Sequence, residues 1–279
     1  MSLWYAFLEL FPGELFSMTF MKNALLAVLV MTPLFGILST MVVTGKLSFF
    51  SDALGHSAFT GIAIGVLCGM AFPLGAALLL SIAFALLFSF VRSRSHQAAD
   101  TLIGVFSSTT VALGIFIATL NGGSFTKFNT YLIGDILSVT PGEIGLLALV
   151  FVAVAAFWCL GMGRLTLTAI HPQLASSRGM RTERTATLFT AVVAVVVTLA
   201  MSWVGLMVIN SLLVLPAASA RNVAKNLRQY VLYSVLFALL GGIAGLVTAY
   251  YLGSSAGAAI SLYLAACFFV TFLLRTRAN

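Results

Sequence analysis

The chain has 279 residues, 61% of them apolar and only 8% charged, against about 25% charged in an ordinary soluble domain. That excludes a water-soluble globule and, at about 20 apolar residues per crossing of a bilayer core about 30 Å thick, leaves material for eight or nine spans. Fourteen Lys and Arg against seven Asp and Glu give a net charge of +7, which in a polytopic protein is expected on the cytoplasmic side and implies no nucleic-acid partner.

The first stretch, residues 3–16 (LWYAFLELFPGELF), is too short to span and rich in aromatics, so an interfacial helix on the lipid surface is expected there. Residues 1–21 hold Glu9 and Glu14 but no Lys or Arg, which argues against a secretory signal peptide. Apolar spans then fall near 24–43, 56–72, 74–91, 101–120, 142–161, 186–203, 205–220, 231–252 and 255–274. The expected fold is therefore all-α, a polytopic helical bundle of about nine spans (eight to ten), forming one transmembrane domain over 1–279. If the polar segment 162–185 is cytoplasmic, alternation puts Lys46, Arg92, Arg94, Arg164, Arg178, Arg181, Arg184, Arg221, Lys225, Arg228, Arg275 and Arg277 inside. Those are twelve of the fourteen basic residues, and the C-terminus follows them into the cytoplasm.

Within the spans, Ser57, Gly61, Gly65 and Gly69 recur every four residues and predict a small-residue face on which another helix packs closely; Gly241 and Gly245 repeat the device. Pro33 and Pro216 lie inside spans and free backbone carbonyls there. Residues 121–141, too polar to cross and too apolar for a free loop, are expected to form a re-entrant or interfacial element on the outer side. Cys68, Cys159 and Cys267 lie in apolar stretches without metal-type spacing and are read as buried packing residues.

An ionisable group at mid-bilayer costs about 2.5–3.5 kcal/mol, so each one needs a reason. Asp52 and His56, in Ser51-Asp52-Ala53-Leu54-Gly55-His56-Ser57, share one helical face at the start of the second span. An oxygen and a nitrogen ligand together suit Mn²⁺, Fe²⁺ or Zn²⁺ better than Ca²⁺ or Mg²⁺; the alternative is an Asp–His pair held at a helix N-terminus by the dipole. His96 and Asp100 share the same spacing but read as a solvated loop pair. In His171-Pro172-Gln173-Leu174-Ala175-Ser176-Ser177-Arg178-Gly179, proline at the first helical position and glycine past the last turn predict an isolated helix of about two turns, which needs a docking surface to persist. Thr44-Gly45-Lys46 lacks the upstream glycine of a nucleotide-binding loop, because Thr40 stands there, and no protease or serine-nucleophile motif occurs. A transport subunit rather than an enzyme is expected.

SDALGHSAFTGIAIG (51–65) closely resembles the SDALSHAALPGIALG-type signature of the permease subunits of ABC importers for manganese, zinc and ferrous iron. YLIGDILSVT (131–140) and LLVLPAASARNVA (212–224) resemble that family's YLFGDILAVS and LLVIPAATARLLA blocks, in the same order, so the similarity covers nearly the whole chain. The resemblance implies a bacterial inner-membrane permease that pairs with a second copy or a paralogue. It would receive a divalent metal ion from an external binding protein and be driven by a cytoplasmic ABC ATPase dimer, with no permanently bound cofactor. It implies metal contact by Asp52 and His56, and pathway or gating roles are considered for Asp135, Asn210 and Pro216. The segment His171, Pro172, Gln173, Leu174, Ala175 to Gly179 resembles the coupling helix that docks in the ATPase, usually DPExAxxxG, with His171 and Gln173 in place of its two acids. A siderophore or vitamin B12 type permease, or a gradient-driven carrier or channel, are the rival readings.

Overall fold

The computed structural model describes residues 4–5, 18–120, 134 and 136–278. Among the described residues ten α-helices follow residue 18: α1 (Thr19–Thr44), α2 (Phe50–Leu67), α3 (Pro73–Arg94), α4 (Ala99–Thr119), α5 (Pro141–Ile170), α6 (Pro172–Ser177), α7 (Thr182–Val204), α8 (Leu206–Val223), α9 (Leu227–Leu252) and α10 (Ala256–Ala278). A 3₁₀ turn, Ile136–Ser138, precedes α5. Among the described residues nine of these helices are long and apolar enough to cross a membrane, all but α6, as the composition requires. Continuous helix is what a bilayer demands, because each backbone N–H and C=O must be paired within its own segment.

The chain divides into two compact units. One comprises Met1–Thr40, Asp135–Ala156 and Ser211–Asn279; the other comprises Met41–Gly134 and Phe157–Asn210. In the first unit close helix approach is made by glycines. A Cβ on Gly241 would lie 2.5 Å from Leu264 Cδ2, and one on Gly36 would lie 2.8 Å from Val235 Cα, so α9 packs on α10 with one face and on α1 with another. Buried Ser234 adds a hydrogen bond to Gly36 O at 2.7 Å, and its hydroxyl lies 2.8 Å from Ser39 Oγ, an interhelical polar contact of the kind that holds membrane bundles together.

In the second unit α2 is the central helix, buried against α3, α4 and α7. Its small-residue face works at Ser57, Gly61 and Gly65: Ser57 is fully buried, a Cβ on Gly61 would strike Ala77 Cα, and one on Gly65 would lie 3.0 Å from Pro73 Cα. Thr60 donates to Thr110 O on α4 at 2.7 Å. The fourth member of the predicted stripe behaves differently. Gly69 lies beyond α2 with φ +66° and no neighbour within 4 Å of a Cβ. The amides of Gly69 and Met70 return to Val66 O and Gly65 O at 3.0 and 2.9 Å, so this glycine closes the helix C-terminus in a Schellman turn. The spacing of four is shared by both roles, and only the position of the helix end separates them.

Other expectations shift for identifiable reasons. The fifth span continues as helix to Ile170, so residues 162–170 of the polar segment belong to α5; at about 1.5 Å per residue this 30-residue helix is about 45 Å long and outruns the apolar core. Cys68 and Cys159 are exposed and Cys267 is partly so, not buried in this chain. In a lipid-facing helix a small apolar thiol is as compatible with the outside as with the core. The interfacial helix at 3–16 lies outside the described residues except for Trp4 and Tyr5, which are helical and donate to Lys22 O at 3.0 Å and Asn23 Oδ1 at 2.6 Å. Most of 121–141 lies outside them too.

Candidate functional site

The start of α2 brings the expected pair together. Asp52 sits in the first turn, where the unpaired amides of the helix N-terminus favour a carboxylate. His56 follows one turn later with Nε2 3.6 Å from Asp52 Oδ2, close enough for an ion pair when the imidazole is protonated but longer than a hydrogen bond. Both side chains are partly exposed, at 44% for Asp52 and 30% for His56.

A third residue joins from α8. Asn210 Nδ2 donates to Asp52 Oδ1 at 2.9 Å. This bond orients the amide, leaving Asn210 Oδ1 buried without a hydrogen-bond partner among the described residues. Asp52 is thus the centre of the group, with Oδ2 facing the His56 imidazole and Oδ1 accepting from the Asn210 amide. Among the described residues no group of three or more His, Cys, Asp and Glu side chains converges, so Asp52 and His56 stand as a pair.

Two glycines make this meeting possible. Gly205, with φ +83°, separates α7 from α8, a conformation that a residue with a Cβ adopts only with strain. Gly55 lies on α2 between Asp52 and His56, and a Cβ there would strike the Leu206 side chain. The first turn of α8 therefore approaches α2 closely enough for Asn210 to reach Asp52.

The remaining expected residues are distributed along the chain. Pro216 is buried within α8, six residues past Asn210, and Asp135 lies outside the described residues. His96 and Asp100 are both exposed. The segment 171–179 forms the short helix α6, with His171 at its N-cap and Pro172 at the first helical position. Ala175 is fully buried and Leu174 is 46% exposed. Gly179, at φ +73°, closes it: the amides of Gly179 and Met180 return to Ser176 O and Ala175 O at 2.9 and 3.1 Å, again a Schellman turn. The helix thus docks through Ala175 and presents Leu174, Gln173 and His171 outward. The sequence offered Asn210 only as a pathway or gating candidate; its bond to Asp52, 158 positions away, and the supporting Gly55–Leu206 contact carried no local signal.

The fold defines a polytopic helical membrane protein, with Asp52 and His56 at the head of one span and Asn210 of another bonded to the carboxylate. The chain belongs to the ABC 3 transport family, whose profile matches residues 17–275, and is a transport component rather than an enzyme. It is 26% identical over 254 residues to the high-affinity zinc uptake system membrane protein ZnuB of Haemophilus influenzae, covering 91% of this chain and 97% of that one. It is 29% identical over 255 residues to the manganese import system permease protein ScaB of Streptococcus parasanguinis, covering 91% and 90%. Among solved structures it is similar to PsaBC from Streptococcus pneumoniae in complex with Fab, with a TM-score of 0.79 and 25% identity over 98% of this chain and 95% of that one.

Proposed function

We propose that this chain is the membrane permease of an ATP-driven importer of divalent transition-metal ions, manganese or zinc in the first instance, in a bacterial inner membrane. The observation that carries the metal assignment is the partly exposed Asp52–His56 pair, an oxygen anion and an imidazole 3.6 Å apart at the head of α2, with Asn210 of α8 donating to the carboxylate. Such a pair matches first-row divalent ions in ligand type. Its incompleteness suits a transported ion, which must leave as readily as it arrives. The metal is cargo, with no resident cofactor required. The relatives' names, a zinc uptake membrane protein and a manganese import permease, support the same substrate class.

The driving partner in this reading is a cytoplasmic ABC ATPase dimer that grips α6. A helix of six residues is far too short to be stable alone in water, and Leu174 offers an exposed apolar contact beside the anchored Ala175. Closing the ATPases pulls on α6 and α7 and opens the path alternately to the two sides. An external binding protein delivers the ion, and a second copy or paralogue of this chain completes the pathway. The C-terminus and the twelve basic residues lie on the ATPase side.

Proteoliposomes holding this chain and its ATPase should take up Mn²⁺ or Zn²⁺ only with ATP, and Leu174→Asp should abolish uptake while the ATPase alone stays active. Full-rate uptake without any ATPase would replace this reading with a channel or gradient-driven carrier. Asn210→Ala removes one donor and frees the Asp52 carboxylate, and should lower uptake by about 10-fold; Asn210→Asp, which sets two carboxylates against each other, should be at least as harmful.

A further inference from the structure

We propose that the second unit carries a binding site for a membrane phospholipid with a primary-ammonium headgroup, of the phosphatidylethanolamine type, in which Arg92 holds the phosphate and Glu183 the ammonium. A cavity of about 280 Å³ lies among the turn after α1, the last turns of α3 and α5, the head of α6 and the start of α7, with Gly45, Arg92 and Glu183 in its wall. The Arg92 guanidinium, half-buried there, has five N–H donors and makes one hydrogen bond, from Nη2 to Gly45 O at 3.2 Å. Among the described residues neither Arg92 nor Glu183 forms an ion pair, with the other or with any third group, and the Glu183 carboxylate accepts no hydrogen bond. Two opposite charges in one wall, farther apart than an ion pair, match a ligand that itself carries both signs.

The surroundings select a lipid over a soluble zwitterion. Arg92 lies in the last turn of α3 and Glu183 in the first turn of α7, so the charges sit where spans end, at headgroup depth. An adjoining depression of about 500 Å³ shares Ser89, Ser93 and Glu183 with the cavity and runs between Leu86, Phe90 and Leu188, all exposed and placed to take an acyl chain. Arg184 also borders it. The headgroup chemistry is then specific: a trimethylammonium has no N–H to give Glu183, and a glycerol headgroup has no cation for it.

The test is lipid retention by the purified full chain, measured by native mass spectrometry after exposure to equal amounts of phosphatidylethanolamine, phosphatidylglycerol and phosphatidylcholine. The ethanolamine lipid should be retained about fivefold over the choline lipid. Glu183→Gln, which breaks no hydrogen bond of the side chain, should bring the two level with the thermal midpoint unchanged, and Glu183→Arg should turn the preference toward phosphatidylglycerol. Equal retention in the wild type, or an ethanolamine preference that survives Glu183→Gln, would overturn the proposal. Excess soluble phosphoethanolamine should fail to displace the lipid; if it succeeds, the ligand is a soluble zwitterion and the lipid assignment is lost.

Discussion

Asp52→Ala should reduce cellular manganese or zinc uptake by about 10- to 100-fold while the protein accumulates in the membrane at its normal level. Two opposing effects explain why function falls and folding does not. An ionisable residue costs about 2.5–3.5 kcal/mol at the centre of a span and less near its end, where Asp52 sits, so its removal relieves part of that burden. Against that, the Asn210 amide loses its acceptor, a cost of about 1–3 kcal/mol, and the two roughly cancel. Asp52→Asn separates the metal reading from the helix-terminus alternative: it keeps the shape and can still accept from Asn210 Nδ2, but carries no charge. If Asp52 serves as a ligand, Asn is nearly as damaging as Ala; if it only caps α2, Asn, itself a good partner for helix-end amides, restores most of the uptake. His56→Ala should show a loss of the same order, since it removes the nitrogen donor. Metal content with immunoblotted membrane levels reads all three variants, and unchanged uptake in both alanine variants would sink the assignment.

The parts legible in the sequence were those written in composition and local spacing. Helices long enough to span announce themselves by apolar length, and the start of α2 was visible in the four-residue spacing of Asp52 and His56. Pro172 and Gly179 bracket α6 because their backbone constraints act within a turn. The sequence said less where two roles share a pattern: Gly69 keeps the spacing of Gly61 and Gly65 yet ends the helix, and polar residues after Gly161 are as helical as the apolar ones before. Least legible was what depends on distant backbone approach. Nothing near Asn210 says that its amide meets Asp52, because that contact rests on Gly55 making room for Leu206 and on Gly205 turning the chain.

The same dependence predicts the largest loss of stability. Gly61→Ala should destabilise the protein by about 1–3 kcal/mol and Gly61→Val by more, because the new Cβ would meet Ala77 Cα and lie 2.9 Å from Ala76 O and Ala77 N. These are backbone atoms of α3, which cannot rotate aside as the Leu206 side chain could for a substitution at Gly55. Gly75 on α3 and Gly104 on α4 have open space where a Cβ would go, so alanine there should be neutral or stabilise by up to about 1 kcal/mol, the ordinary helix-propensity gain. Thermal midpoints of the detergent-purified variants make the comparison; a Gly61→Ala protein as stable as the Gly104→Ala control would mean that α2 and α3 do not pack as tightly as described. The effect also reaches the site. Gly61 is nine residues along α2 from Asp52, and a helix pushed away from α3 carries the carboxylate with it, while a hydrogen bond of 2.9 Å tolerates little displacement. Gly61→Ala should therefore lose uptake per molecule as well as stability. A variant that lost stability alone would show that α2 yields locally at the glycine and holds Asp52 in place from its other contacts.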